Sequence, residues 1–307
     1  MKILKITIAA ALVAIAAVSC KSQYDAVMNS TDPDFKYKAA FEYFNQGKYQ
    51  KSAAIFESLS FITNGTQRDD TVQYYWGLSN YRAKDYFTAE TNFDKFATNF
   101  PRSPFAEEAR YLRIDCLYRQ TLRYELDQTP TYNTINVITE YLKEYPVNDH
   151  VSDCSAILND LGARLDRKAY EAAKLYFKME DYKASRVAFR NVLKDDAENI
   201  FREDILYYIA KSSYKYAALS IPEKQKERYL VFMDDYLNFV SEIPDSPYRK
   251  ELDMLYAKSQ KALGKYAGSD ELIEQREKDF DKLRKAEDKA LFRSERQTSG
   301  KKKDKKN

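Results

Sequence analysis

Few residues of this 307-residue chain are of the types that carry out catalysis. His150 is the single histidine, and the three cysteines are Cys20, Cys116 and Cys154. The sequence contains no phosphate-binding loop, no G-x-S-x-G or H-E-x-x-H motif, and no cysteine pair at zinc-binding spacing. An enzyme needs a nucleophile or a metal ion held by oriented partners. The sequence therefore predicts a protein that is not an enzyme and that needs no cofactor or metal.

Cys20 is the exception, because its surroundings suit covalent modification. Lys2 and Lys5 are followed by an apolar stretch and by small residues, which is the layout of a secretory signal. The stretch is too short for a transmembrane helix, which needs about 20 apolar residues. The segment 17–20, Ala-Val-Ser-Cys, resembles the bacterial lipobox, in which the cysteine is acylated and becomes the first mature residue. A plain signal with an incidental cysteine is the alternative.

The composition favours a helical protein without affinity for nucleic acid. Seven glycines and eight prolines are few for a turn-rich β fold, and charged residues make up 32% of the chain. The formal net charge of +3 gives no general case for nucleic-acid binding. Cys116 and Cys154 could form a disulfide in an oxidising compartment, but two buried thiols are the favoured interpretation.

Three segments repeat the same arrangement of aromatic and small residues. A tyrosine opens a helical pattern, and a small residue lies nine positions before it: the pairs are Ala40 with Tyr49, Gly77 with Tyr86, and Ala173 with Tyr182. Helical patterns in three repeats, one of which begins at Tyr86, also end alike, just before Pro101, Pro146 and Pro244. Recurrence of three landmarks together indicates an internal repeat.

The landmarks fit pairs of antiparallel helices. Apolar residues at steps of three and four form one stripe, the small residue permits close approach of the paired helix, and proline ends the second helix. This is the tetratricopeptide pattern, whose hairpins stack because one alone cannot bury its stripe. We predict an all-α fold, a right-handed superhelix of about five tetratricopeptide-like hairpins. The predicted repeats are 35–69, 70–103, 104–149, 165–203 and 204–247.

Aromatic residues and arginines on the first helix of each repeat are candidates for peptide binding. An aromatic groove with arginines suits an extended peptide that ends in an aromatic residue and a carboxylate. The candidate residues are Tyr37, Phe44, Tyr74, Tyr81, Arg82, Tyr118 and Arg119. The alternative is that these residues pack against a neighbouring repeat or the N-terminal segment.

The lipobox, the long repeats and one connector together resemble the BamD family of outer-membrane assembly lipoproteins. The connector is residues 101–105, Pro-Arg-Ser-Pro-Phe, echoed by residues 244–248, Pro-Asp-Ser-Pro-Tyr. The resemblance runs from Cys20 to about Gly264. The chain departs from it in a long, charged third repeat between Arg119 and Thr134 and in the extension after Gly268.

The resemblance implies a lipoprotein of the β-barrel assembly machinery (BAM complex), anchored by an acyl chain such as palmitate to the periplasmic face of the outer membrane. By resemblance, the C-terminal repeats would hold the Omp85-type insertase BamA. The N-terminal repeats would receive the C-terminal signal of unfolded β-barrel clients. The alternative is another envelope repeat lipoprotein, a scaffold for cell-wall enzymes or a subunit of a nutrient importer. Importer subunits use exposed tryptophans, whereas the single tryptophan, Trp76, lies inside a predicted repeat helix.

These interpretations divide the chain into five segments. They are a signal peptide (1–19), a lipidated linker (20–34), the repeat domain (35–264), a charged helix (265–298) and a disordered lysine-rich tail (299–307). The charged helix has too few apolar residues for a core of its own. The lysines of the tail could contact anionic lipid headgroups, and a purely solvated tail is the alternative.

Overall fold

The computed structural model describes residues 23–265, 271–286 and 289, which form helices joined by short connections. The helices are α1 (23–29), α2 (Pro33–Asn45), α3 (Tyr49–Thr63), α4 (Asp69–Arg82), α5 (Tyr86–Asn99), α6 (Ala106–Gln120), α7 (Thr129–Glu144), α8 (Val151–Lys178), α9 (Tyr182–Asp195), α10 (Arg202–Ala218), α11 (Pro222–Glu242), α12 (Arg249–Leu263) and α13 (271–286). No strand occurs in these ranges, which confirms the predicted all-α class. None of the helices described is long and apolar enough to cross a membrane.

The chain divides into two compact units, Met1–Gly162 and Ala163–Asn307. In the first unit, α2 packs against α3, α4 against α5, and α6 against α7. In the second unit, α10 packs against both α9 and α11, and α12 packs against α11. The tetratricopeptide-like helical hairpins that the sequence predicts are therefore present. Cys20, the predicted signal peptide and the lysine-rich tail lie outside the described residues.

The turn between the two helices of a hairpin accounts for the tyrosine that recurs at the start of the second helix. Gly47, Lys84 and Glu180 occupy equivalent positions and have φ angles of +73°, +65° and +62°. Such left-handed residues end the first helix and reverse the chain. Asp85 then accepts a hydrogen bond from the backbone N–H of Thr88, and Asp181 caps α9 in the same way. The three predicted tyrosines are the first residues of α3, α5 and α9.

Small residues let the helices of each hairpin approach closely, as predicted. A Cβ atom on Gly77 would lie 2.9 Å from Cε1 of Phe93, so the ring of the paired helix occupies that space. Ala40 and Ala173, at the equivalent positions, are buried. The hydroxyls of Ser52 and Ser79 lie 3.1 Å apart and join α3 to α4. Small residues therefore allow helices to pack closely both within a hairpin, at Gly77, and between hairpins, at Ser52 and Ser79.

A second recurring tyrosine packs against the connectors of the first unit. It occurs every 37 residues, at Tyr37, Tyr74 and Tyr111. Tyr74 stacks on Phe105, with ring centroids 4.5 Å apart and an interplanar angle of 10°. Tyr111 stacks on His150 at 3.6 Å and 7°. Tyr37 lies 4.9 Å below the guanidinium of Arg68. Each of the three partners, Phe105, His150 and Arg68, lies directly before the first helix of the next hairpin, so these contacts join that helix start to the preceding hairpin.

The second unit repeats this stacking. Tyr170 stacks on Phe201 at 4.7 Å and 9°, and Tyr207 stacks on Tyr248 at 4.0 Å and 17°. Phe201 and Tyr248 are the residues that precede α10 and α12. The aromatic residue that closes the proline-containing connector at residues 101–105 and 244–248 therefore packs against the tyrosine of the preceding first helix.

Helix α13 packs on the second unit through a small apolar contact and two polar ones. Ile273 is buried in a cluster with Met233 and Leu263. Arg276 pairs with Asp234, and the hydroxyl of Tyr256 donates a hydrogen bond to Glu277. The described part of the predicted charged helix therefore depends on α11 and α12 for its burial, since its own apolar residues are few.

Candidate peptide-binding site

Most of the predicted site residues have intramolecular partners in the first unit. Phe44 packs edge-on against Tyr49 and Tyr75, with ring centroids 5.4 Å apart in both pairs. Tyr37 is half-buried beneath Arg68 and beside Phe41. These two residues of the first repeat present only part of their rings at the surface, because the other part packs within the repeat stack.

Tyr74 belongs to the core, which corrects the prediction that it lines an open groove. Its side chain is 6% exposed and packs among Phe93, Phe96 and Phe105. Tyr74 and Tyr81 share a helical face, but Tyr74 lies two turns nearer the start of α4. There the connector that ends at Phe105 folds over the helix and removes Tyr74 from solvent.

Tyr81 and Arg119 meet at one carboxylate. The hydroxyl of Tyr81 donates a hydrogen bond to Oδ2 of Asp115 at 2.8 Å, and Nε of Arg119 donates to the same oxygen at 2.5 Å. The guanidinium of Arg119 also lies 5.0 Å from the ring centroid of Tyr86. Burial, together with the hydrogen bond to Asp115, raises the pKa of Tyr81 to about 12. Asp115 therefore links α4 to α6 and holds Arg119 in place.

Two further tyrosine hydroxyls donate hydrogen bonds to carboxylates in the first half of α8. Tyr118 donates to Asp160 at 2.9 Å, and Tyr111 donates to Asp153 at 3.1 Å. With Tyr81 and Asp115, these bonds connect the first helices of successive hairpins. These three carboxylates were not predicted from the sequence. The tyrosines that recur at 37-residue intervals could have indicated such carboxylates, because a buried tyrosine hydroxyl usually needs a polar partner.

Arg82 and Arg119 are the exposed cations of the predicted set. They hold the same position in the last turns of α4 and α6. Arg119 is paired with Asp115 and is 44% exposed at its side chain. Arg82 is exposed, and its guanidinium forms no hydrogen bond or ion pair with any residue that the structure describes. Of these two guanidiniums, that of Arg82 is the one available to a carboxylate without displacing an internal partner.

Other reactive side chains lie away from this surface. Cys116 and Cys154 are free and buried, as predicted, and burial raises the pKa of their thiols to about 12 and about 11. Nε2 of His150 lies 3.0 Å from a carboxylate oxygen of Glu108, beneath the stacked ring of Tyr111. Among the described residues, no group of three or more His, Cys, Asp or Glu side chains is placed to hold a metal ion.

Comparison with known proteins connects this architecture to one family. Residues 29–231, more than half of the chain, match the model of the YfiO family, described as outer membrane lipoprotein. The chain is 20% identical over 224 residues to "Outer membrane protein assembly factor BamD" of Caulobacter vibrioides, covering 72% of each chain. It is 25% identical over 208 residues to "Putative outer membrane protein assembly factor BamD" of Aquifex aeolicus, covering 67% of this chain and 66% of the relative.

Among solved structures, the chain resembles the TPR2AB domain of yeast Sti1, solved as a pHSP90 complex. The identity is 14%, the match covers 74% of this chain and 98% of that chain, and the TM-score of 0.34 is too low to support an argument. The assignment depends instead on the match to residues 29–231. The predicted family resemblance is thus confirmed, and the chain belongs to the YfiO/BamD family of outer membrane lipoproteins.

Proposed function

We propose that this protein is an outer-membrane protein assembly factor that works by binding and positioning other proteins, with no chemical step of its own. The observation that carries the proposal is the family match over residues 29–231, together with the assembly-factor names of both relatives. The helical hairpins are consistent with it, since stacked repeats provide extended surfaces for protein partners.

The proposal gives the two units different partners. The first unit receives the C-terminal segment of an unfolded β-barrel client, and the repeats of the second unit hold a BamA-like Omp85 insertase. Acylation of Cys20 anchors the protein to the periplasmic face of the outer membrane. The division of labour follows the family resemblance, and the exposed Arg82 and partly exposed Tyr81 support the first half of it.

The client segment would bind along the ends of α4 and α6. A C-terminal carboxylate pairs with the guanidinium of Arg82, and an aromatic side chain packs against the exposed edges of Tyr81 and Tyr86. Arg–carboxylate pairs and aromatic contacts each contribute strongly when water is excluded. Tyr74 has no part in this revised site, because it is buried.

Affinity purification from solubilised envelopes tests the function as a whole. Recovery of an Omp85 insertase with the tagged protein is the expected result. Recovery of peptidoglycan enzymes or a TonB-dependent channel in its place would favour the scaffold or importer alternative and overturn the proposal.

Titration with a labelled C-terminal peptide of an outer-membrane barrel tests the client site. Replacing Arg82 with Ala, alone and together with Tyr81→Ala, should weaken binding by about tenfold or more. The control variant carries Phe87→Ala and Arg102→Ala, which remove an exposed aromatic and an exposed arginine elsewhere in the first unit. Equal affinity of the test and control variants, with thermal melting unchanged, would exclude this site.

A further inference from the structure

A basic pocket lies in the second unit, between α9, α10 and α11, and the client site does not use it. Its volume is about 300 Å³. Lys183 and Val187 line it from α9, Tyr216 from α10, and Lys224, Arg228 and Val231 from α11. The pocket therefore combines cationic side chains with apolar surface.

The cations of the pocket exceed its anions once internal pairs are set aside. Arg186, at the pocket wall, is neutralised by Asp235 through bonds of 2.6 and 3.0 Å. The ammonium groups of Lys183 and Lys224 have no hydrogen-bonding or ionic partner among the described residues. Cζ of the Arg228 guanidinium lies 4.0 Å from the ring centroid of Tyr216, and Nη1 donates to the Ser220 hydroxyl. Opposite these three cations, the pocket lining offers one carboxylate, Glu227.

An apolar hollow continues from the pocket along α8 and α9. It is lined by Tyr176, Ala184 and Ala188, with Asp181 and Asn191 as polar members, and it shares Lys183 and Val187 with the basic pocket. The Asp181 carboxylate accepts a hydrogen bond from the backbone N–H of Ala184 as the cap of α9. Tyr176 is 44% exposed and Val187 is 51% exposed. An apolar surface that adjoins unpaired cations is suited to a ligand with apolar and anionic groups next to each other.

The chain's own termini have the wrong charge to fill this pocket. Residues 299–307 contain five lysines and one aspartate, and residues 1–22 contain lysines but no acidic side chain. Like charges at short range repel, so neither segment would be drawn to Lys183 and Lys224. Residues 287–298 contain three acidic and three basic side chains, so they offer no excess of negative charge either. The complementary ligand therefore comes from another molecule.

We propose that this pocket binds an acidic–apolar peptide segment of a partner protein. An apolar side chain of the segment packs on Tyr176 and Val187. A neighbouring Asp or Glu carboxylate is bound by the ammonium groups of Lys183 and Lys224 and by Arg228. The site is separate from the client site of the first unit, and it stands whether or not an insertase binds these repeats.

The test uses the purified full-length protein and a fluorescein-labelled peptide, Gly-Phe-Glu-Leu-Glu-Gly-amide, with fluorescence anisotropy as the readout. Lys183→Gln combined with Lys224→Gln should weaken binding by about tenfold. Both lysines are exposed, so folding should be unaffected. The matched control, Lys194→Gln with Lys215→Gln, removes the same charge from exposed positions that do not line the pocket and should bind normally.

Three further measurements separate a peptide site from a general anion site. Val187→Ser leaves every charge in place and should weaken the peptide by severalfold, and a peptide with Gln at both Glu positions should not bind. Raising salt from about 0.05 M to about 0.5 M should weaken binding, because exposed charges are screened. Unchanged affinity of the double lysine variant would overturn the proposal. Displacement of the peptide by an equal concentration of inorganic phosphate, or binding of anionic lipid vesicles that depends on the same lysines, would also overturn it.

Discussion

Arg186 forms a two-point ion pair with Asp235, with its Nε 2.6 Å from Oδ2 and its Nη2 3.0 Å from Oδ1. Nη2 of Arg190 lies 2.8 Å from Oδ1, and the hydroxyl of Ser213 donates to Oδ2. The Asp235 side chain is 2% exposed, so these bonds replace nearly all of its contact with water. One buried carboxylate thereby joins α9, α10 and α11.

Asp235→Asn should destabilise the protein by about 3 kcal/mol, because removing one partner of a buried ion pair leaves the other uncompensated. The measurement is the free energy of unfolding from urea titration. Asp234→Asn is the matched control, since that residue pairs with Arg276 at a site where both side chains are about 40% exposed. Its loss should stay below about 1 kcal/mol. Equal losses in the free energy of unfolding would show that the buried ion pairs of Asp235 add no more stability than the exposed pair of Asp234.

Gly77→Ala and Gly162→Ala should have opposite effects on stability. The new Cβ of the first variant would lie 2.9 Å from the buried ring of Phe93, and such overpacking costs about 1–3 kcal/mol. The second variant meets no atom within 4 Å, so the helix preference for alanine should stabilise it by about 0.5–1 kcal/mol. Thermal unfolding compares the two. Stabilisation by Gly77→Ala would contradict the close packing of α4 on α5.

The sequence was sufficient to predict the hairpins because their landmarks act locally. The turn tyrosines begin their helices, and Gly77 lies against its paired helix, as the spacing of these residues implies. Tyr74 was assigned to the wrong environment because its partner, Phe105, comes from the connector after the following helix. A helical register gives the face of a residue, but it does not reveal which later segment covers that face.

The adjacent residues Asp234 and Asp235 also show that a helical register does not reveal which side chains are buried. Asp234 and Asp235 are adjacent, yet one is partly exposed and the other is buried among two arginines and a serine. Neighbouring positions on a helix point about 100° apart, so the rotation of α11 about its own axis decides which of the two is buried. The sequence could not identify Asp235, because the rotation of α11 depends on packing against α9 and α10. The basic pocket was missed for the same reason.

The two buried thiols should resist modification in the folded protein. Burial raises the pKa of Cys116 to about 12 and that of Cys154 to about 11, and the thiolate is the reactive form. In a Cys20→Ser variant at pH 8, Ellman's reagent should release no colour from native protein and two equivalents in urea. Rapid reaction of the native protein would contradict the burial of these side chains.

Stability should be constant from neutral pH to about pH 9 and should fall above about pH 10. Burial and hydrogen bonds to carboxylates raise the pKa of Tyr81 and Tyr236 from 10.0 to about 12. A raised pKa means that the fold favours the neutral phenol. This stability is fully present below the unfolded pKa and is lost as the pH rises through the folded pKa.

Urea titrations at a series of pH values, with tyrosinate absorbance recorded in parallel, measure this effect. Tyr81→Phe removes one titrating group, and its stability should decline less between about pH 10 and about pH 12. A decline of the same size in Tyr81→Phe would mean that Tyr81 does not contribute to the alkaline transition.

Cys20→Ala should prevent lipid attachment and release the protein from the outer membrane. The expectation follows from the small residues before Cys20 and the short apolar segment that precedes them. One acyl chain gives only marginal membrane binding and two or more give stable anchoring, at about 0.8 kcal/mol per buried CH₂ group. Labelled palmitate should enter the wild-type protein and the control variants Cys116→Ser and Cys154→Ser, but not Cys20→Ala. The Cys20→Ala protein should be soluble or should retain its signal segment. A processed, labelled and membrane-bound Cys20→Ala protein would show that the anchor lies elsewhere in the chain.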